Sequence, residues 1–118
     1  MRVYIADDDV EVRQALRLLL EQKLGYQVVG EAAHSHGLMS LAESAQADLV
    51  LIDWELPGRV DARLLAGLHQ LPRRPRVIVV SSRCDLKETI VAAGADAFVA
   101  KCDPPEHLSA AVMGRPAG

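Results

Sequence analysis

Three consecutive carboxylates, Asp7, Asp8 and Asp9, close the apolar run "RVYIA" and open the amphipathic run "VEVRQAL". Like charges this close repel one another, so the cluster is either solvated or held together by something cationic. Other apolar runs end in polar residues as well. Asp53 ends "LVLID" and precedes "WELPG", Ser81 and Ser82 follow "RVIVV", and Lys101 follows "AFVA". If the run ends meet, Asp7, Asp8 and Asp53 set three negative charges against one from Lys101, and a divalent cation balances the sum. Oxygen-only ligands favour Mg²⁺, which keeps waters and open positions for substrate oxygens. A hard cation, a lysine and a hydroxyl around one carboxylate suit phosphoryl transfer. Asp53 is then the nucleophile that forms an acyl phosphate, Lys101 neutralises the transferred oxygens and Ser81 donates to one of them. Each residue also has a plainer reading. An aspartate before "LPG" can cap a turn, and a lysine after a strand is ordinarily a solvated charge. Their joint placement favours the site, while Asp9 fits best as a helix cap.

The elements that must position these groups are legible in the hydrophobic pattern. Five runs, "RVYIA" from Arg2, "QVVGEA" from Gln27, "DLVLI" from Asp48, "RVIVV" from Arg76 and "AFVA" from Ala97, are near-continuous in apolar residues and do not alternate. Strands covered on both faces require this. Between them the period becomes helical. After Asp9, Val12, Ala15, Leu16, Leu19 and Leu20 share a face, and Gly25 supplies a stop. Further helices are expected over His36 to Ala45 and Val60 to Leu71, the latter with Leu64, Leu65, Leu68 and Leu71 inward. A fourth opens with Asp85 as N-cap and Glu88 in capping-box spacing and closes at Gly94. A fifth starts at "DPPEHL", with Asp103 as cap and Pro104 in the first turn, and ends near Met113. Five strand-helix repeats imply right-handed crossovers and a three-layer, doubly wound α/β fold around a five-stranded parallel sheet. Ligands in such sheets bind beyond the carboxyl ends of the strands, where the polar residues above collect.

The 118 residues, half of them hydrophobic, fit one domain over 1–118, with 114–118 as a frayed tail. Thirteen basic and sixteen acidic residues, without a run of either sign, do not suggest a nucleic-acid surface. The apolar runs are strand-sized or broken by charges, and the N-terminus lacks a secretory layout, so a cytoplasmic protein without membrane contact is expected. Cys84 and Cys102 are too few for a disulfide framework. His34 and His36 could share a metal on an extended loop, though two ligands seldom hold a structural ion.

The acidic pair in "IADDD", Asp53 in "LVLIDWELPG", Ser81 in "VIVVSS", Phe98 in "GADAFVAK" and Lys101 together resemble a response regulator receiver domain of two-component systems over essentially the whole chain. The phrases "ADDDVEVRQALRLLLE" and "GADAFVAKCDPPEHLSAAV" are most similar to the subfamily with a C-terminal helix-turn-helix output domain. The resemblance implies the flavodoxin-like fold of receivers. It also implies that a sensor histidine kinase or a small phosphodonor phosphorylates Asp53, with Mg²⁺ held by Asp8, Asp53 and the backbone carbonyl of Glu55, and Asp7 acting through water. Such a domain is not an enzyme toward a separate substrate; it catalyses its own phosphoryl transfer and dephosphorylation. Phosphorylation biases a two-state element in which Ser81 moves toward the phosphoryl group, Phe98 turns inward, and the face of the fourth helix, fifth strand and fifth helix changes. The implied output is transcription, through a C-terminal DNA-binding domain or a homodimer partner, with no direct nucleic-acid contact by this domain.

Departures from the family pattern are Cys102 in place of the usual proline, "PGRVD" in place of "PGxxG", and Ser82 at a position normally small. Glu55 and Arg83, two residues after the acceptor and the switch hydroxyl, are expected to form a partial lid that slows hydrolysis. The plainer alternative is two unrelated surface charges, a pairing worth about 0–1 kcal/mol. Two competing functions are a phosphate-independent interaction module and a small phosphohydrolase of the haloacid dehalogenase type. A nucleotide-binding flavodoxin-like module is disfavoured by the missing glycine-rich loop after the first strand.

Overall fold

Apolar runs that do not alternate become strands buried on both faces. The computed structural model describes residues 1–114; the remainder of the expected tail, 115–118, lies outside the described residues. The strands are β1 (Arg2–Ala6), β2 (Gln27–Ala32), β3 (Leu49–Asp53), β4 (Arg76–Ser81) and β5 (Ala97–Ala100). The helices α1 (Val10–Leu18), α2 (Leu38–Ser44), α3 (Ala62–His69), α4 (Lys87–Ala92) and α5 (Pro105–Val112) alternate with them. All strand pairs are parallel, in the order β2-β1-β3-β4-β5. One core, with Val50, Ile52, Leu65, Leu68, Val77 and Ile90, lies on the α2–α4 side. The other, with Ile5, Leu16, Leu20, Leu51, Ile78 and Leu108, lies under α1 and α5. This is the expected three-layer, doubly wound α/β fold around a five-stranded parallel sheet.

The register carries the chemistry to one edge. Ala6 pairs with Ile52, Asp53 with Val80, and Ser81 with Ala100, so the residues that follow these positions emerge together beyond the carboxyl ends. At β2 the register slips: Val3 opposes Val28, but Tyr4 opposes Gly30. A Cβ on Gly30 would collide with the Tyr4 ring, which occupies the space a side chain would need.

Several helix ends differ from the sequence expectation. Asp9 caps α1 as expected, accepting from the backbone N–H of Glu11 and Val12, but beyond Leu18 the helix widens into a π-turn over Leu19–Lys23. The second helix begins at Leu38, after Gly37 in the left-handed region, two residues later than expected. The third starts at Ala62, because Asp61 of "PGRVD" accepts from Arg63 N and Leu64 N and serves as its cap. Asp85 does not cap α4. It lies in a 3-10 turn, Cys84–Leu86, and its carboxylate pairs with Arg83 Nη2 at 3.0 Å. Nor does Asp103 cap α5: its Oδ2 accepts from Ala100 N at 3.0 Å and secures the end of β5. Pro104 takes the cap position instead, and Pro105, which has no N–H to satisfy, opens the helix. Among the described residues no helix is long and apolar enough to cross a membrane.

Asp48 ties the opposite edge together. Its Oδ2 accepts from Arg2 N at 2.9 Å and its Oδ1 from Arg73 Nε at 2.9 Å, while its backbone bonds to both Arg2 and Arg76. The Arg2 N–H bond is the largest influence on its carboxyl and, with Arg73, holds the pKa below the usual value despite partial burial. A depressed carboxyl stabilises the fold above its unfolded pKa of about 3.9, and that contribution fades as the pH falls through the folded value. Asp48→Asn is therefore expected to lower the urea midpoint at pH 7, with the gap from the parent narrowing as the pH falls from about 3.9 through the folded value.

Candidate functional site at the carboxyl edge of the sheet

Asp7 follows β1, and its side chain is only 1% exposed. Its Oδ1 accepts from Asp9 N at 2.9 Å, and its own N–H donates to Ala32 O on β2, so the loop after β1 is held on both sides. Its buried Oδ2 receives no directed hydrogen bond. Lys101 Nζ lies 3.2 Å from that oxygen and 3.0 Å from Asp53 Oδ2, bridging the two carboxylates. Asp53 ends β3, 2% exposed, and its Oδ1 accepts from Glu55 N at 2.9 Å. Asp8, beside Asp7, is exposed.

Charge and burial act against each other here. Burial is the strongest influence on Asp53 and raises its pKa; the Glu55 N–H and Lys101 pull it back, and Asp7 pushes it up again, leaving it above the ordinary range. Burial alone would lower the pKa of Lys101, but the hydrogen bond and charge of Asp53, with Asp7 behind it, outweigh burial and raise it. The ammonium is firmly charged, whereas Asp53 resists ionisation more than a solvated aspartate does.

One ligand atom from each of Asp7, Asp8 and Asp53 can be chosen so that all lie within 4.8 Å of one another. An all-carboxylate set, one of whose buried oxygens meets only the Lys101 ammonium, fits a hard divalent cation of the Mg²⁺ type. The spacing of His34 and His36 does not build a comparable site. His34 Nδ1 already accepts from His36 N at 2.9 Å, and their loop packs on the one after β3 through Ser35 N to Pro57 O and Arg59 N to Ser35 Oγ.

Ser81 at the end of β4 is fully buried. Its Oγ donates to Glu55 Oε2 at 2.7 Å and accepts from Arg83 N at 3.0 Å. Ser82 donates to Glu55 Oε1 through both its backbone N, at 2.9 Å, and its Oγ, at 2.8 Å. Burial raises the Glu55 pKa, but the bonds from Ser81 and Ser82 outweigh it and hold the carboxyl below its usual value. The Arg83 guanidinium hydrogen-bonds Asp85, and no hydrogen bond joins it to Glu55, whose charge it still feels, so the expected lid between the two is not formed. Phe98 on β5 is half-buried and lines a groove of about 590 Å³ with Lys87, Asp103 and His107. Cys84 and Cys102 are free and exposed.

Sequence reasoning missed Arg13. Its Nη1 donates to Asp7 O at 2.6 Å and its Nε to Glu31 Oε1 at 3.0 Å. The guanidinium thus braces the acidic loop through its backbone and leaves the Asp7 carboxylate to Lys101. One turn of helix, from Asp9 to Arg13, sets this placement, but only the position of β2 reveals the Glu31 partner.

The description of the response regulator receiver domain family matches residues 3–113 of the chain. The chain is 30% identical over 118 residues to the nitrate/nitrite response regulator protein NarL of Escherichia coli K12, covering 98% of this chain and 55% of that one. It is 34% identical over 110 residues to an uncharacterized transcriptional regulatory protein, YhcZ, of Bacillus subtilis 168, covering 92% of this chain and 51% of that one. It thus spans about half the length of these curated relatives. Among solved structures, a two-component response regulator of the LuxR family from Aurantimonas sp. SI85-9A1 superposes with a TM-score of 0.82 at 28% identity, covering 99% of this chain and 88% of that one.

A carboxyl whose folded pKa is raised favours the folded state at low pH and loses that contribution as the pH rises from its unfolded value, about 3.9, through the folded one. In metal-free buffer, the urea midpoint of Asp53→Asn relative to the parent is therefore expected to move in the variant's favour between pH 4 and neutrality. A constant difference across that range would contradict the assigned direction.

Proposed function

This chain belongs to the response regulator receiver domain family, and we propose that it is a signalling switch in which Asp53 accepts a phosphoryl group from a sensor histidine kinase or a small acyl phosphate. The observation that carries this reading is the buried Asp53 carboxylate held 3.0 Å from Lys101 Nζ, which also faces Asp7 Oδ2. An ionised Asp53 oxygen attacks the phosphorus, the bond from phosphorus to the donor's nitrogen or oxygen breaks, and its electron pair leaves with the donor. Lys101 holds Asp53 in position and neutralises charge on the transferred oxygens. Backbone donation from Glu55 N fixes the carboxylate plane. Asp7, Asp8 and Asp53, with the backbone carbonyl of Glu55, would hold Mg²⁺, which when bound supplies positive charge to the transferring oxygens.

Ser81 is the hydroxyl that meets the bound phosphoryl group, and Phe98 relays its movement to the face of α4, β5 and α5. The groove beside Phe98 lies on that face, and the response there controls an output. The relatives named above are response or transcriptional regulators, which supports transcription as that output, through a C-terminal DNA-binding domain or a homodimer partner, in the cytoplasm. The chain then catalyses its own phosphorylation and dephosphorylation and turns over no separate substrate.

Incubation with acetyl phosphate and Mg²⁺, followed by intact-mass measurement, is expected to show the gain of one phosphoryl group. The gain should be absent without Mg²⁺ and absent in Asp53→Asn. An unmodified parent, folded and with Mg²⁺ bound, would overturn the reading. Saturating Mg²⁺ at a hundredfold its dissociation constant should stabilise the parent by about 2.7 kcal/mol. Thermal melts of Asp8→Asn should lose most of that gain.

A further inference from the structure

Glu55 touches the acceptor and the switch at once. Its backbone N–H donates to Asp53 Oδ1, while its carboxylate takes the Ser81 hydroxyl on one oxygen and both Ser82 donors on the other. A serine hydroxyl has one proton to donate, and a backbone amide has one. In this state the Ser81 Oγ–H and the Ser82 N–H are both committed to Glu55. Neither can donate to an oxygen arriving on Asp53 until the Glu55 carboxylate withdraws. The contacts are short, two of the three come from side-chain hydroxyls, and Arg83 N further orients the Ser81 oxygen by donating to it at 3.0 Å. Ser81 is fully buried in this arrangement, with Glu55 as the acceptor of its hydroxyl. A phosphoryl oxygen on Asp53 would offer that hydroxyl a second acceptor.

We propose that Glu55 is a positioning residue whose carboxylate competes with the phosphoryl group for the donors of Ser81 and Ser82, latching the switch in its unphosphorylated arrangement. The proposal rests on Asp53 as the acceptor and adds what opposes the change. It also gives Glu55 and Arg83 different parts: Glu55 restrains the switch through Ser81 and Ser82, while Arg83 contributes its backbone N–H, its guanidinium being held by Asp85. A competing occupant that holds the donors about nine-tenths of the time reduces the apparent affinity of the second occupant about tenfold.

The test is the affinity of the full chain for beryllofluoride, a phosphoryl mimic, in the presence of Mg²⁺, measured by calorimetry on the parent, Glu55→Ala, Glu55→Gln, Ser81→Ala and the Glu55→Ala/Ser81→Ala double variant. Glu55→Ala should bind about tenfold more tightly than the parent. Glu55→Gln keeps one acceptor oxygen and should fall between the two. In the Ser81→Ala background the gain from Glu55→Ala should shrink to about threefold or less, because only the Ser82 donors remain for Glu55 to withhold. A gain undiminished without Ser81 would show simple charge repulsion and overturn the latch. Unchanged or weaker binding by Glu55→Ala would also overturn it, leaving Asp53 as acceptor intact. A folded parent that binds no beryllofluoride would instead take down the acceptor reading, and the latch with it.

Discussion

Lys101 Nζ lies 3.0 Å from Asp53 Oδ2 and 3.2 Å from Asp7 Oδ2, so one cation faces two carboxylates that the strands bury. Two unit charges about 4 Å apart at an effective dielectric constant near 20 interact by roughly 4 kcal/mol, so the repulsion between these aspartates is of that order unless something positive offsets it. Lys101 offsets part of it. Asp8, adding a third carboxylate at the rim, leaves the site net negative and receptive to a further cation. Burial, with Asp7, keeps the Asp53 pKa raised against the Glu55 N–H and Lys101, while Asp53 and Asp7 keep the Lys101 pKa raised against burial.

Much of the surrounding structure keeps that balance in place. Lys101 follows β5, whose end Asp103 secures by accepting from Ala100 N, and Lys101 N itself donates to Ser81 O on β4. Asp53 is fixed by the register of β3 against β1 and β4. Asp7 is fixed by the Ala32 carbonyl on β2 and by Arg13 from α1. Every strand therefore contributes to holding three side chains within reach of one another. The Glu55 carboxylate closes the arrangement on the β4 side by engaging Ser81 and Ser82.

The fold was legible because burial on both faces of a parallel sheet demands unbroken apolar runs, and "LVLID" and "RVIVV" cannot be read another way in so short a chain. The positions of Asp7, Asp53, Ser81 and Lys101 at one edge follow from that topology, since each directly ends or follows a run. What could not be read was which of several polar partners a side chain takes. Asp85 and Glu88 have capping-box spacing, yet Arg83 takes the Asp85 carboxylate; Asp103 stands where a cap belongs, yet the Ala100 N–H takes it. Asp61, passed over in the sequence as a departure in the loop after β3, is the residue that caps α3. Glu55 lies 26 residues from Ser81, and no spacing rule within one element could have joined them.

The central claim, that the balance around Lys101 makes Asp53 and no neighbouring carboxylate the acceptor, is tested most directly by locating the acyl phosphate. Borohydride reduces an acyl phosphate to a primary alcohol, so an aspartyl phosphate becomes homoserine and peptide mass spectrometry identifies its position. Treatment of the acetyl-phosphate-labelled chain should yield homoserine at position 53 alone, with Asp7 and Asp8 unchanged. Homoserine at position 7 or 8, or labelled protein that yields none, would contradict the account.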